Sequence, residues 1–313
     1  MISCPSFVIH GIRCIMSIML TLLLLISLSQ WSDGRPRPSV AAANSLAAKE
    51  LPPAQNNPAP TNPSPWTLVW SDEFNGADGS VPDASKWVIE TGGNGWGNHE
   101  LEYYTNRVQN VQTQAGKLVI TARHEGYSDE KGVLFGYTSA RIKTLHKFEQ
   151  AYGRFEAHIQ IPRGQGIWPA FWMLGNDIDS KHWPACGEID IMENIGKEPS
   201  TVHGTIHGPG YSGDKGIGSP FALPAGQNFA DGFHVYAVEW QPDVIRFYVD
   251  DHLYATRTPA DLPSGAKWVY DHPFFILLNV AVGGDWPGSP DYTTKFPQSM
   301  LVDYVRVYKR SSP

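Results

Sequence analysis

Three acids share one short stretch, Gly187-Glu188-Ile189-Asp190-Ile191-Met192-Glu193-Asn194. Acids alternating with large apolar residues are the signature of a strand with one buried face. Ile189 and Ile191 then point to one side, Glu188 and Asp190 to the other. Carboxylates crowded on one face repel each other, so the pattern points to acid–base chemistry. A solvated acidic edge strand is the plain alternative, and the flanking Ile, Ile and Met argue against it. Strict parity sends Glu193 to the core side, where an unpaired Glu is expensive. A β-bulge at Ile191-Met192 cancels one step and returns Glu193 to the face of Glu188 and Asp190. The Cα atoms of Glu188 and Glu193 then lie roughly 13 Å apart, four effective steps of about 3.3 Å. Inward-leaning side chains bring the carboxyls to roughly 5–6 Å, near the separation of about 5–5.5 Å used for retaining glycoside hydrolysis.

Glu-Ile-Asp-Ile-Met-Glu resembles the active-site strand of the laminarinase-like branch of glycoside hydrolase family 16. Trp168-Pro169-Ala170-Phe171-Trp172-Met173-Leu174 is similar to that family's substrate strand. The opening Trp70-Ser71-Asp72-Glu73-Phe74 and the closing Val302-Asp303-Tyr304-Val305-Arg306-Val307-Tyr308 match as well, so the resemblance runs from about Pro65 to the C-terminus.

The elements that must position these residues read as strands. Short β-prone runs recur between Gly, Pro, Asn and Asp: Lys117 to Ala122, Arg154 to Ile161, Phe233 to Trp240, Ile245 to Val249 and Phe274 to Val282. Helical periodicity is scarce, and this pattern fits one all-β sandwich. The resemblance refines this to a jelly roll, a β-sandwich of two curved antiparallel sheets with a concave substrate cleft. Along the Trp strand, parity puts Trp168, Ala170 and Trp172 on one face and Phe171 and Met173 on the other. Two indoles flanking a small residue make a flat platform for sugar C–H faces, or else two core side chains. Along Thr201 to His207, parity puts Val202, Gly204 and Ile206 toward the core and His203, Thr205 and His207 toward the cleft.

Other site residues follow from the resemblance. His207 is similar to a family His that hydrogen-bonds near the reacting sugar. The Gly-rich run Gly92 to Glu100 is similar to the donor-side loop, which implies that Asn98 and Glu100 contact sugar hydroxyls. Arg141 resembles the family Arg reaching the same region. Trp286, in Gly283-Gly284-Asp285-Trp286-Pro287, caps a subsite or covers the sandwich end. The resemblance also implies a structural calcium ion on the convex face, held by Glu73, the Gly116 carbonyl and Asp303; oxygen ligands suit calcium. No cofactor is expected for catalysis, and the His/Asp/Glu clusters lack zinc-ligand spacing.

The 313 residues carry a net charge of −7, and the mild acidity offers no basic stripe for nucleic acid. Arg13 precedes an apolar run from Ile15 to Leu28, with small residues at Val40-Ala41-Ala42-Ala43. The run suits a secretory signal and falls short of the about 20 residues of a membrane span. The leader at 1–43 therefore reads as a signal peptide, or as an N-terminal anchor if it is not cleaved; either places the catalytic part outside the cytoplasm. Residues 44–65, rich in Pro, Asn and Ala, read as a linker that cannot bury a core. Residues 66–313 read as the family 16-like domain, a monomer with no stable protein partner implied. Cys4 and Cys14 fall in the leader, which leaves Cys186 without a disulfide partner. Two residues before Glu188, it is a nucleophilic thiol or, in the plainer reading, a small apolar residue packed beside the site.

The expected reaction is retaining hydrolysis of internal β-1,3 linkages in a laminarin-like β-glucan. Glu188 is the nucleophile, Glu193 the acid/base, and Asp190 the residue that hydrogen-bonds Glu188 and tunes its charge. Proximity to ionised Glu188 should raise the pKa of Glu193. The competing readings are a non-catalytic β-glucan-binding protein, and the same fold acting on mixed-linkage glucan or a marine galactan. Met192 favours the bulged branch without fixing linkage.

Overall fold

The computed structural model describes residues 65–311. The leader and all but the last residue of the linker lie outside the described residues. Two sheets face each other. The first has seven strands, ordered Ile217–Ala222, Thr201–His207, Glu188–Glu193, Ile167–Gly175, Phe274–Val282, Arg141–Lys143 and Val88–Glu90, with every pair antiparallel. The second has ten, centred on Gly153–Gln160, Gln298–Arg310 and Lys117–Ser128. One of its pairings, Glu102–Tyr104 with Leu134–Ser139, is parallel, a local departure from the antiparallel expectation. The strand starting at Lys117 runs on to Ser128 and carries a hairpin beyond the sandwich. The longest helix among the described residues is one turn, Ile178–Lys181, and no described helix is long and apolar enough to cross a membrane.

The core lies between the sheets. Ile189, Phe171, Met173, Val202 and Ile206 from the first sheet meet Phe155, Ala157, Val238, Phe247, Val305 and Val307 from the second. Removing such side chains from water stabilises the fold by roughly 1.5–3 kcal/mol each. Gly204 is required by this packing, because a Cβ there would sit 2.3 Å from the Tyr254 hydroxyl and 2.6 Å from the Phe247 ring.

Phe274–Val282 is buried along its whole length, and its two faces do different work. Phe274, Ile276, Leu278 and Val280 enter the main core. On the outer face, Phe275 and Leu277 join Leu145, Leu174 and Cys186 in a second small cluster, whereas Asn279 and Ala281 floor an open cleft. The outer face thus passes from an apolar cover to a polar floor along one strand.

The bulge expected from the acid spacing is present. Against the Trp strand, Asp190 pairs with Trp172 and Met192 with Phe171, so Ile191 is the extra residue. Against the following strand, Asp190 pairs with Thr205 and Glu193 with His203, again one residue over. Ile191 and Met192 are both buried in the core, and Glu193 emerges on the side of Glu188. Deleting Met192 should therefore abolish hydrolysis as well as destabilise the fold. Met192→Ala keeps the residue count and should cost about 2–5 kcal/mol with activity per folded molecule retained. Urea unfolding and initial rates on laminarin check the pair; a deletion variant with normal rates would show that the bulge does not set the carboxyl geometry.

Candidate active site

The cleft on the open face of the seven-stranded sheet has a volume of about 1020 Å³. Its floor is made by alternate residues of adjacent strands: Glu188, Asp190 and Glu193 from the acid strand, Trp168, Ala170 and Trp172 from the Trp strand, Thr205 and His207 from the next. Phe171 and Met173 are fully buried on the opposite face, as parity requires. The structure therefore brings the three acids and two indoles together.

Each acid has a defined set of neighbours. Trp183 Nε1 donates to Glu188 Oε2 at 2.5 Å, and Trp168 Nε1 donates to Glu193 Oε1 at 3.0 Å. Asp190, between them, is 2% exposed. His207 Nε2 lies 3.0 Å from Asp190 Oδ2 but off a hydrogen-bonding direction, so that oxygen and His207 Nδ1 are buried without a hydrogen-bond partner. A Cβ on Gly216 would meet the His207 ring at 2.3 Å, so the loop after Tyr211 closes directly over the imidazole.

Burial of three acids under so little positive charge pushes all of them upward. Glu188 rises to about 8, first through burial and then through the Asp190 carboxylate. Glu193 rises to about 7, again chiefly through burial, with His207 opposing and Glu188 adding. Asp190 is raised by burial and by Glu193. The direction expected for Glu193 is correct, but desolvation exceeds repulsion by Glu188 as its cause. Groups this close release protons as a cluster, not one by one.

The part of the cleft around Asn98, Glu100 and Arg141 is a connected polar network. Asn98 Nδ2 donates to Glu100 Oε1 at 3.2 Å and the Tyr104 hydroxyl to Glu100 Oε2 at 2.9 Å. Arg141 is stacked between the rings of Trp96 and Trp172, 4.7 Å from each, and bonds Glu90 through Nε at 2.5 Å. Lys143 reaches the other oxygen of Glu90 at 2.6 Å. Trp172 Nε1 donates to Asn279 Oδ1 at 2.8 Å. Trp286, on a loop whose Asp285 N–H bonds the Asn98 carbonyl, packs edge-on to Trp168 and lines the cleft, so it does more than cover the sandwich.

Of three further expectations two sit differently, and Cys186 takes the plainer of its two readings. His203 is on the cleft side of its strand but lies outside the cleft lining, held between Glu198 and the Trp286 ring. Cys186 is fully buried in the second cluster, and burial pushes its thiol up to about 11, which suits a packed apolar residue and not a nucleophile. On the ten-stranded sheet, Arg306 takes both oxygens of Glu73 at 2.9 and 2.8 Å and holds its pKa down, while His158 lies 3.0 Å from Asp303 Oδ2. The Glu73 side chain thus does not fit a calcium ligand as placed; Asp303 and the Gly116 carbonyl are the remaining oxygen donors of that set. Sequence reasoning also missed residues the site uses. Trp183 lies in a loop with no strand parity to read. Asn279 carried a signal, as the one polar residue in Phe274–Val282.

Paired glutamates between indole platforms, in an open cleft on a two-sheet sandwich, define a glycosidase of the β-sandwich class. The model for glycosyl hydrolases family 16 matches residues 98–306, and the chain belongs to that family. The β-glucanase of Rhodothermus marinus is 44% identical over 255 residues, covering 78% of this chain and 85% of that protein. The laminarinase catalytic domain of Thermotoga maritima superposes with a TM-score of 0.75 at 51% identity, over 79% of this chain and 99% of that one. The endo-β-1,3-glucanase of Pyrococcus furiosus gives 0.76 at 50% identity, over 79% and 96%. The jelly-roll expectation agrees with these neighbours.

Trp183 is 47% exposed, so its loss should cost little stability. Its N–H favours the ionised form of Glu188. Trp183→Phe should leave Tm nearly unchanged, lower kcat/KM, and move the acid limb of the pH–rate profile to higher pH. An unmoved acid limb would show that the indole does not tune Glu188.

Proposed function

We propose that the protein cleaves internal β-1,3-glucosidic bonds of laminarin-like β-glucans by retaining double displacement. The observation that carries this reading is the bulge that returns Glu193 to the face of Glu188, within one indole-walled cleft. Glu188 and Glu193 titrate within one coupled cluster, and hydrolysis uses the form of it in which Glu188 is ionised and Glu193 keeps the proton, although burial raises Glu188 the further of the two. A Glu188 oxygen attacks the anomeric carbon as Glu193 gives its proton to the departing glycosidic oxygen, which leaves a glycosyl ester on Glu188. Glu193, now a carboxylate, takes a proton from water, whose oxygen attacks the same carbon and releases Glu188. Asp190 shares a proton with Glu188, and the Trp183 N–H, which can only donate, favours the charge on Glu188. Transfer of the glycosyl group to a second sugar is an accessible side reaction. The Thermotoga laminarinase and the Pyrococcus endo-β-1,3-glucanase support the β-1,3 assignment, and the Rhodothermus β-glucanase supports the β-glucan.

Export is part of this proposal and rests on Arg13 and the apolar run from Ile15 to Leu28. Structural calcium enters only through Asp303 and the Gly116 carbonyl; a Tm unchanged by EDTA would remove it.

Glu188→Gln should reduce laminarin hydrolysis by several orders of magnitude, and a mechanism-based glycosyl fluoride should label Glu188 by mass spectrometry; labelling of Glu193 would reverse the roles. Reducing sugar released from laminarin, curdlan, lichenan and agarose separates β-1,3 hydrolysis from the other polymers, and no release from any would favour a binding protein.

The same variant tests the electrostatics. A carboxyl raised on folding is most favourable to the fold below its ordinary value of 4.5, and that contribution is lost as pH rises through about 8. Glu188→Gln should therefore be more stable than wild type at pH above 8, by a few kcal/mol, since each tenfold change in proton affinity is worth about 1.4 kcal/mol. The difference should close near pH 4. Equal stability across that window would mean that Glu188 is not destabilised by burial.

A further inference from the structure

Glu102 is an acid that the mechanism does not use. It opens Glu102–Tyr104 and is 0% exposed. Oε2 accepts the backbone N–H of Val282 at 2.6 Å. Oε1 is buried without a hydrogen-bond partner, although the carboxylate of Glu100 lies within hydrogen-bonding reach of Glu102. A wholly buried Glu102 carboxylate with no donor on Oε1, set against the half-buried carboxylate of Glu100, is a costly arrangement if both carry charge. One proton resolves it, since a protonated carboxyl is a donor as well as an acceptor.

We propose that Glu102 is a neutral carboxylic acid whose O–H donates to Glu100, fixing the Glu100 carboxylate as the acceptor for one sugar hydroxyl on the donor side of the cleft. Burial and the Glu100 charge both act to keep that proton on Glu102. The surrounding bonds have one direction. Trp172 donates to Asn279 Oδ1, Asn279 Nδ2 donates to the Tyr104 hydroxyl at 3.2 Å, and Tyr104 donates to Glu100 Oε2. Asn98 donates to Glu100 Oε1. With Glu102, Glu100 receives three donors. A carboxylate accepts about four hydrogen bonds, so one site remains, and Glu100 lines the cleft. Glu102 is thus a positioning residue: it touches no substrate, and it sets how many hydroxyls Glu100 can take and where.

This inference rests on the reading of the cleft as a glucan site, and its first test needs no substrate. In infrared difference spectra of wild type minus Glu102→Gln at neutral pH, the carbonyl stretch of a protonated carboxylic acid should be lost on substitution. Loss of ionised carboxylate bands alone would overturn the proposal whatever the polymer is. The second test is kinetic. In Glu102→Gln the amide N–H replaces the O–H and the amide oxygen still accepts Val282 N–H, so kcat and KM on laminarin should stay within about twofold. Glu102→Leu loses both bonds, and KM should rise about tenfold or more, the size of one hydrogen bond to a charged group, with a smaller change in kcat. Gln behaving like Leu, or Leu lowering Tm with KM unchanged, would reject the positioning role. If the Leu variant fails to fold, the spectrum and kinetics of Glu102→Gln decide alone.

Discussion

Side chains alternate along a strand, so residues an odd number of positions apart face opposite ways. Glu188 and Glu193 are so spaced, and one extra residue in the ladder brings both onto the cleft face. The rest of the fold accommodates that residue. Ile191 and Met192 both enter the core, and on the paired strand Gly204 lets Phe247 and Tyr254 of the opposite sheet approach closely. Alternation then holds on either side of the bulge, so Trp168, Trp172, Thr205 and His207 share the face of the acids. A bulge between two glutamates is a rigid spacer, because both neighbouring strands pin its register.

The second constraint is electrostatic. Three acids on one buried face would ordinarily call for cations, yet the cleft's Arg141 is committed to Glu90 and stacked between two indoles. Indole N–H groups act instead, one on Glu188 and one on Glu193. An indole donates one hydrogen bond without adding charge, so it orients a carboxylate and lowers its pKa less than a cation would, which leaves Glu193 able to carry a proton near neutrality. It also presents an apolar face to a sugar ring. Tryptophan therefore meets two requirements of the cleft that an arginine would set against each other.

Parity made much of this legible in the sequence. The acid at the wrong parity, Glu193, implied the bulge, and Trp168 and Trp172 were separable from Phe171 and Met173 by counting. Parity does not report what covers a face, and His203 shows the limit: it points to the cleft side but is screened by Trp286 and Glu198. Nor does it reach loops, which is why Trp183 escaped notice. The partner of a charge is equally invisible, since Glu73 and Arg306 are joined only by the pairing of the first and last strands. Glu102 belongs with these; its proton follows from the company of Glu100 in three dimensions.

The strand Phe274–Val282 explains where the cleft stops. Its outer face is covered at Phe275 and Leu277 by Leu145, Leu174 and Cys186, and open at Asn279 and Ala281. Trp172 stands at the junction: it packs against the covered cluster, receives the Arg141 guanidinium on its ring, and donates to Asn279. Its plane is thus fixed from three sides by the protein itself. The same hydrogen bond begins the chain that runs through Tyr104 to Glu100, so Trp172 and Glu100 are held by one set of bonds. Trp172 and Glu100 are thereby held in a fixed relation to the acid strand, whose Asp190 is paired with Trp172 in the sheet.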